Sequence, residues 1–385
     1  MDLTKNITQR EKLKLKVFME RVKNKEPGKY IIRQEKSKQK ESIGMMKRLE
    51  NGQLFTAMCT ILIKINFIVY LLKKLYPMKG PLFYAKILLF GEYGIIKDSK
   101  GLAIPFSSYK GALKSSSNLS GEALKSNQNL IKLYDYLEAN ASELVSFDFT
   151  SFKNDIGSGM YFDSSIPQGY GVGSSGALVA SIYDQYAHNK ITILENLTRD
   201  KLLKLKEIFS FMESFFHGKS SGLDPLNSYL SLPILINSKT NIEPAGIPSQ
   251  KEGKGAVFLL DSEQVGETEP MVNIFMNKMK NEGFRKMLNE EFVSYTDACI
   301  DDFLHGNINS LFGNVKNLSK VVLANFKPMI PMAFHKIWEQ GLKTNDYYLK
   351  LCGSGGGGYI LGFAQDYEKA KNSLKDYKLE LVYRF

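Results

Sequence analysis

The chain has 385 residues, 43% hydrophobic and 24% charged, which is the make-up of an ordinary globular protein with room for two domains. Its net charge of +11 invites a nucleic-acid partner, yet residues 1–77 hold 18 Lys/Arg against 7 Asp/Glu, and the rest balances at 33 of each sign. The excess therefore says nothing for nucleic-acid binding by the larger part. Three scattered cysteines (Cys59, Cys299, Cys352) exclude a disulfide framework or a zinc site and suit a cytoplasmic location.

Residues 1–50 are Lys-rich and poor in glycine and aromatics. Residues 54–72 are mostly apolar but contain Lys64 and Asn66. A membrane span wants about 20 apolar residues. A central lysine costs roughly 2.5–3.5 kcal/mol on insertion scales. The stretch is a marginal span or an amphipathic surface helix, with membrane contact only if it is native. The pattern restarts at Met78, so Met78 is expected to be the functional start. Residues 1–77 then read as an over-extended frame or an appendage. From there the pattern predicts strands over 82–90 and 102–114, a helix over 121–139, a strand over 160–166, helices over 176–188 and 196–216, and a strand over 228–236. A second part follows from 246, dividing the larger region into 78–245 and 246–385. It opens with a strand at 256–260 and continues with helices near 269–281, 289–304, 308–325 and 332–342. A hairpin around a glycine run, a helix over 367–376 and a strand over 379–385 close the chain. No internal repeat is present.

The segment from Ile166 to Leu178 lies between a strand-like and a helix-like run and carries Gly169, Gly171, Gly173, Ser174, Ser175 and Gly176. Such a backbone folds sharply and lets a ligand approach closely. A helix N-terminus presents unsatisfied N–H groups and partial positive charge, so its natural occupant is a phosphate. A plain Gly/Ser connector is the alternative. No lysine follows the glycines, so this is no P-loop. Gly171-x-Gly173-x-x-Gly176 has dinucleotide spacing, but it lies far from an N-terminal strand and lacks the acidic residue about 20 positions on.

Pro167-x-x-x-Gly171-x-Gly173-Ser174-Ser175 instead resembles the second motif of the GHMP kinase superfamily (galacto-, homoserine, mevalonate and phosphomevalonate kinases). Lys86 followed by Gly91-Glu92-Tyr93 resembles the first motif. Lys350-Leu351-Cys352-Gly353-Ser354-Gly355-Gly356-Gly357-Gly358 resembles the third. The three stand in the family's order, over about residues 78 to 385. The resemblance implies an α+β fold of two domains, a mixed α/β N-terminal one and a ferredoxin-like C-terminal one, with ATP and the acceptor between them.

Between the second and third motifs stand Glu213 and, eleven positions on, Asp224. Phosphoryl transfer needs phosphates held, a Mg²⁺ positioned and a carboxylate to accept the acceptor's proton. A carboxylate on a helical run and another in a Gly/Ser-rich loop suit those two tasks. Read singly, Glu213 would be a solvated charge on a helix and Asp224, standing before Pro225, a turn former. The segment resembles the Glu…His-Gly-x-Pro-Ser-Gly-x-Asp region of mevalonate kinases, with Ser220 in place of the usual Pro. That match implies Asp224 as catalytic base with Lys86 beside it, and Glu213 and Ser175 as Mg²⁺ ligands. It also implies ATP phosphates over Pro167, Gly169, Gly171, Val172, Gly173, Ser174 and Ser175. Glu92, Tyr93, His217, Ser221, Gly222, Gly353, Ser354 and Gly355 would face the acceptor. Tyr93 stands where His is common and Gly176 where Ala is usual, which leaves room for a related acceptor. The expected reaction is ATP-dependent phosphorylation of mevalonate. The alternatives are a related acceptor (phosphomevalonate, a sugar or homoserine), a silent ligand-binding relative and a membrane-anchored protein. A homodimer is left open.

Overall fold

The computed structural model describes residues 81–97, 99–140, 143–192, 197–250 and 252–385. The basic segment 1–77, its apolar stretch 54–72 and the expected start at Met78 lie outside the described residues. Among the described residues, no helix is long and apolar enough to cross a membrane.

The first sheet is built on one long strand. β1 (Phe83–Phe90) pairs antiparallel with β2 (Gly101–Ser115). The far end of β2 takes β3 (Met160–Ser164), and its start takes β4 (Ile234–Ser238), which pairs in turn with β5 (Asn241–Pro244). Side chains alternate along β1, as the pleat requires. Ala85, Ile87 and Leu89 are wholly buried in the core, while Lys86 and Leu88 turn to the other face. Helices α1 (Gly121–Ala139), α2 (Phe149–Gly157), α3 (Ser174–Tyr186), α4 (Arg199–His217) and α5 (Leu223–Leu230) complete this part.

The α3 sequence Ala177 to Tyr183 is buried without a break, which makes it the central helix rather than an amphipathic surface one. Tyr183, Phe209 and Tyr229 meet edge to face at 5.0–5.6 Å and bind α3, α4 and α5 into one block. Each such pair adds about 0.5–1.5 kcal/mol beyond its burial. That block holds the segments bearing Ser175, Glu213 and Asp224 in fixed relation.

The second sheet is four-stranded and antiparallel, in the order β7 (Tyr348–Leu351), β8 (Tyr359–Ala364), β6 (Ala256–Asp261), β9 (Leu379–Arg384). Between β6 and β7 run α6 (Thr268–Lys278), α7 (Glu282–Met287), a π-helical turn (Leu288–Phe292), α8 (Val293–His305), α9 (Ile308–Asn325) and α10 (His335–Thr344). A short α11 (Tyr367–Ser373) joins β8 to β9. This strand–helix–strand–strand–helix–strand order is ferredoxin-like. The fold is thus α+β, as the sequence implies.

Several elements differ from the sequence reading, β5 and α7 among them, neither of which it contained. The strand expected over 228–236 begins only at Ile234, because α5 occupies Leu223–Leu230 and ends in a left-handed Ser231. Asp224, expected in a loop, sits in the first turn of that helix, where the following Pro225 is compatible with helical geometry. Helix α2 was not foreseen; the Asp148 side chain caps it by accepting from the Ser151 N–H at 2.9 Å.

Candidate active site

The segment from Ser165 to Gly173 crosses from β3 to the N-terminus of α3. Gly173 caps that helix at φ +78°, a left-handed conformation that costs glycine little. Ser174 and Ser175 form the first turn. The loop is tied to β1 by the Lys86 N–H, which donates to the Val172 carbonyl at 3.0 Å. The Lys86 side chain passes directly beneath Gly173, where an added Cβ would meet its Cγ at 3.0 Å.

Lys86 Nζ lies 2.9 Å from Asp224 Oδ1, with the lysine buried and the aspartate 35% exposed. Burial alone would lower the Lys86 pKa, but the charge and hydrogen bond of Asp224 outweigh it and hold the ammonium above its ordinary value. Asp224 comes this close to the loop because α3 and α5 meet at Gly176. A Cβ there would lie 2.7 Å from the Asp224 carbonyl carbon and the Pro225 nitrogen. Gly176 is thus the contact point of the two helices.

Behind this pair lies Glu213, buried on α4. Its Oε1 accepts from the Ser175 hydroxyl at 3.1 Å, and its Oε2 accepts from the Ser220 hydroxyl. Burial and the nearby Asp224 charge push its carboxyl above the usual carboxylate range. A hydroxyl and a buried carboxylate side by side are hard oxygen donors of the kind Mg²⁺ takes, and an added cation would relieve the acidic pair. Among the described residues no cluster of three or more His, Cys, Asp or Glu could hold a metal alone.

The third glycine run closes the opposite wall. Gly171 and Gly353 touch backbone to backbone, and a Cβ on Gly171 would meet the Cys352 carbonyl oxygen at 2.8 Å. The Tyr93 hydroxyl donates to the Ser354 carbonyl at 2.6 Å, and its ring stacks on Phe275 of α6 with centroids 4.7 Å apart. Next to it, the Glu92 carboxylate accepts from Lys350 of β7, both side chains sealed from solvent. Between these walls lies a cleft of about 270 Å³.

Of the residues singled out in the sequence, the cleft is lined by Lys86, Asp224, Glu92, Tyr93, Gly169, Gly171, Gly353, Ser354 and Gly355. Ser175 and Glu213 stand behind Asp224 as a bonded pair. Pro167, Val172, Gly173 and Ser174 shape the loop without lining the cleft, and the Val172 side chain is core. Ser221 and Gly222, expected at the acceptor, do not line it. Gly222 is pressed against α4, where a Cβ would meet the Lys206 carbonyl oxygen at 2.1 Å. Ser221 precedes it on the exposed turn. His217 ends α4, and its side chain lies outside what the structure describes. Leu88, Thr268 and Val272 also line the cleft and were not foreseen. Leu88 was findable as the next residue on the Lys86 face of β1. Thr268 and Val272 come one turn apart from α6, which carries no motif.

No protein-family model matches the chain, and no curated protein matches it in sequence. Solved structures do match its fold. The L. major mevalonate kinase in complex with R-mevalonate is 18% identical, with 76% of this chain and 89% of that one covered at a TM-score of 0.51. The Streptococcus pneumoniae phosphomevalonate kinase in complex with phosphomevalonate and AMPPNP is 14% identical, with 79% and 98% covered at 0.50. The Lactococcus lactis galactokinase complexed with galactose is 11% identical, with 83% and 98% covered at 0.50. The chain shares the fold of these GHMP kinases.

Proposed function

We propose that the chain is an ATP-dependent kinase of a small hydroxyl-bearing acceptor, and that the acceptor is mevalonate. The carrying observation is the Lys86–Asp224 pair, open to the cleft directly beneath a glycine loop at a helix N-terminus. Phosphates of ATP lie against the loop and the first turn of α3, where N–H groups and the helix dipole favour them. The acceptor hydroxyl lies against Asp224, whose carboxylate takes its proton as the oxygen attacks the γ-phosphorus and ADP departs. Lys86 pairs with that carboxylate and polarises the attacking oxygen. Ser175 and Glu213 would hold Mg²⁺, which when bound would supply positive charge to the transferring phosphate. The glycine loop and third run then belong to the two domains, 78–245 and 246–385, that flank the cleft.

The choice of mevalonate is supported by the ordered motifs and by the segment from Glu213 to Asp224. Coupled ADP release with Mg²⁺·ATP and mevalonate, phosphomevalonate, galactose and homoserine tests it. Turnover with mevalonate at the highest kcat/KM is expected. A preference for another acceptor overturns the substrate assignment, and turnover with none overturns the kinase reading.

A further inference from the structure

The glycine loop from Ser165 to Gly173 is held from two sides. Its Val172 carbonyl accepts from the Lys86 N–H of β1, while Gly169 accepts from the Gly266 N–H at 2.9 Å and Tyr170 from the Tyr359 N–H at 3.4 Å. Gly266 lies between β6 and α6, and Tyr359 opens β8, so both belong to the part of the chain that builds the second sheet. A trans peptide is planar, so a fixed carbonyl also sets the direction of the next residue's N–H. The bond to Tyr170 therefore aims the N–H of Gly171, a residue that lines the cleft.

A bond of 3.4 Å is long, and side chains reinforce it. Gly358, at φ +70°, brings the third glycine run against the loop, where a Cβ would lie 2.5 Å from the Tyr170 Cα. The next side chain, Tyr359, is buried and meets the Tyr170 ring edge to face, with centroids 5.0 Å apart. Its hydroxyl lies 2.6 Å from that of Tyr109, which donates to Glu380 Oε2 of β9 at 2.5 Å. Tyr109 has one hydroxyl proton and gives it to the carboxylate, so Tyr359 donates to Tyr109.

Tyr109 itself comes from the first sheet. Between Tyr84 and Ala85 of β1 the partner on β2 jumps from Lys110 to Phe106. That bulge takes Tyr109 out of the ladder and re-aims its side chain, here towards β8 and β9. Glu380, Tyr109 and Tyr359 thus form one bonded line ending at the loop, and none of the three lines the cleft. We infer that Tyr359, braced by Tyr109 and Glu380, is a positioning residue for ATP binding, fixing the Tyr170 peptide so that the Gly171 N–H faces a phosphate. This rests on the kinase reading and deepens it: part of the grip on the nucleotide is set from the second sheet.

Calorimetry with Mg²⁺·ATP and steady-state kinetics on the full chain test it, with Tyr359→Phe, Tyr359→Leu, Tyr170→Leu and the double variant Tyr170→Leu/Tyr359→Leu. Loss of the hydroxyl alone, in Tyr359→Phe, should raise the Kd of ATP about threefold, in line with one neutral hydrogen bond. Loss of ring and hydroxyl, in Tyr359→Leu, should raise it about tenfold or more. Acceptor KM at saturating ATP should stay within about twofold, a split that a general loss of stability would not produce. Tyr170→Leu should match Tyr359→Leu, and the double variant should be no worse than either, because both remove the same contact. Tyr359→Phe keeps the ring and decides the question should Tyr359→Leu fail to fold. A wild-type ATP Kd in either folded Tyr359 variant overturns the inference. So does an equal rise in acceptor KM, or a double variant whose effect is the product of the two single ones. A wild type that binds ATP but phosphorylates no acceptor rejects the kinase reading, while ATP calorimetry still decides for Tyr359. A wild type that binds no ATP rejects both.

Discussion

Two lysine–carboxylate pairs flank the same cleft, and they differ chiefly in how much water reaches them. In Lys86–Asp224 the carboxylate is 35% exposed, while in Lys350–Glu92 neither partner exceeds 4%. The open pair keeps a carboxylate that a substrate hydroxyl can reach and that water can solvate when its lysine is lost. The sealed pair has no such refuge. Accessible charge suits chemistry, and sealed charge suits alignment.

Exchange of the open carboxylate for its amide breaks this contrast most directly. Asp224→Asn should lower kcat by about 10²–10⁴-fold while ATP affinity stays within a few-fold, measured by coupled kinetics and nucleotide titration. An unchanged kcat removes Asp224 as the base. The sealed pair should dominate stability instead. Glu92→Ala or Lys350→Met should cost about 3–5 kcal/mol in urea unfolding, because one buried charge is left alone. Lys86→Met should cost about 1 kcal/mol or less through its ion pair, since Asp224 can turn to solvent. Equal losses from the two lysines would erase the distinction. A smaller effect is expected where α3 meets α5. Gly176→Ala should destabilise by about 1–3 kcal/mol and displace Asp224, visible as a fall in kcat larger than any change in ATP KM. The least effect is expected at Cys352. Burial first, against the opposing charge of Lys350, pushes its thiol up to about 11. Only about one thiol in ten thousand is then ionised at neutral pH. Peptide mapping after alkylation should find Cys352 unmodified in the native protein and modified in denaturant.

The elements with local chemistry were readable in the sequence. Glycine loops announce themselves because few other residues adopt their backbone, and the apolar runs of β1, β6 and α9 follow from composition alone. Helix α5 was not readable. Eight residues give barely two turns of periodicity, and Asp224-Pro225 carries a turn signal equal to its helical one. Helix α2 was hidden for the same reason of length, although Asp148-x-x-Ser151 was a usable cap signal. Lys350 stood in the third motif in plain view. Its partner lies 258 residues away, and nothing local to either residue says that they meet. The cleft residues Thr268 and Val272 were out of reach because they are ordinary residues made relevant only by where α6 packs.

The single hydrogen bond from the Lys86 amide to the Val172 carbonyl joins the strand carrying the lysine to the loop beside it. Any opening of that loop large enough to break this bond must release that one amide proton to solvent. Its exchange rate is therefore a clock for the loop, readable at one backbone position without substrate, label or turnover. Slow exchange at that amide would mark the loop as set before nucleotide arrives, and rapid exchange slowed by nucleotide would mark it as assembled on binding.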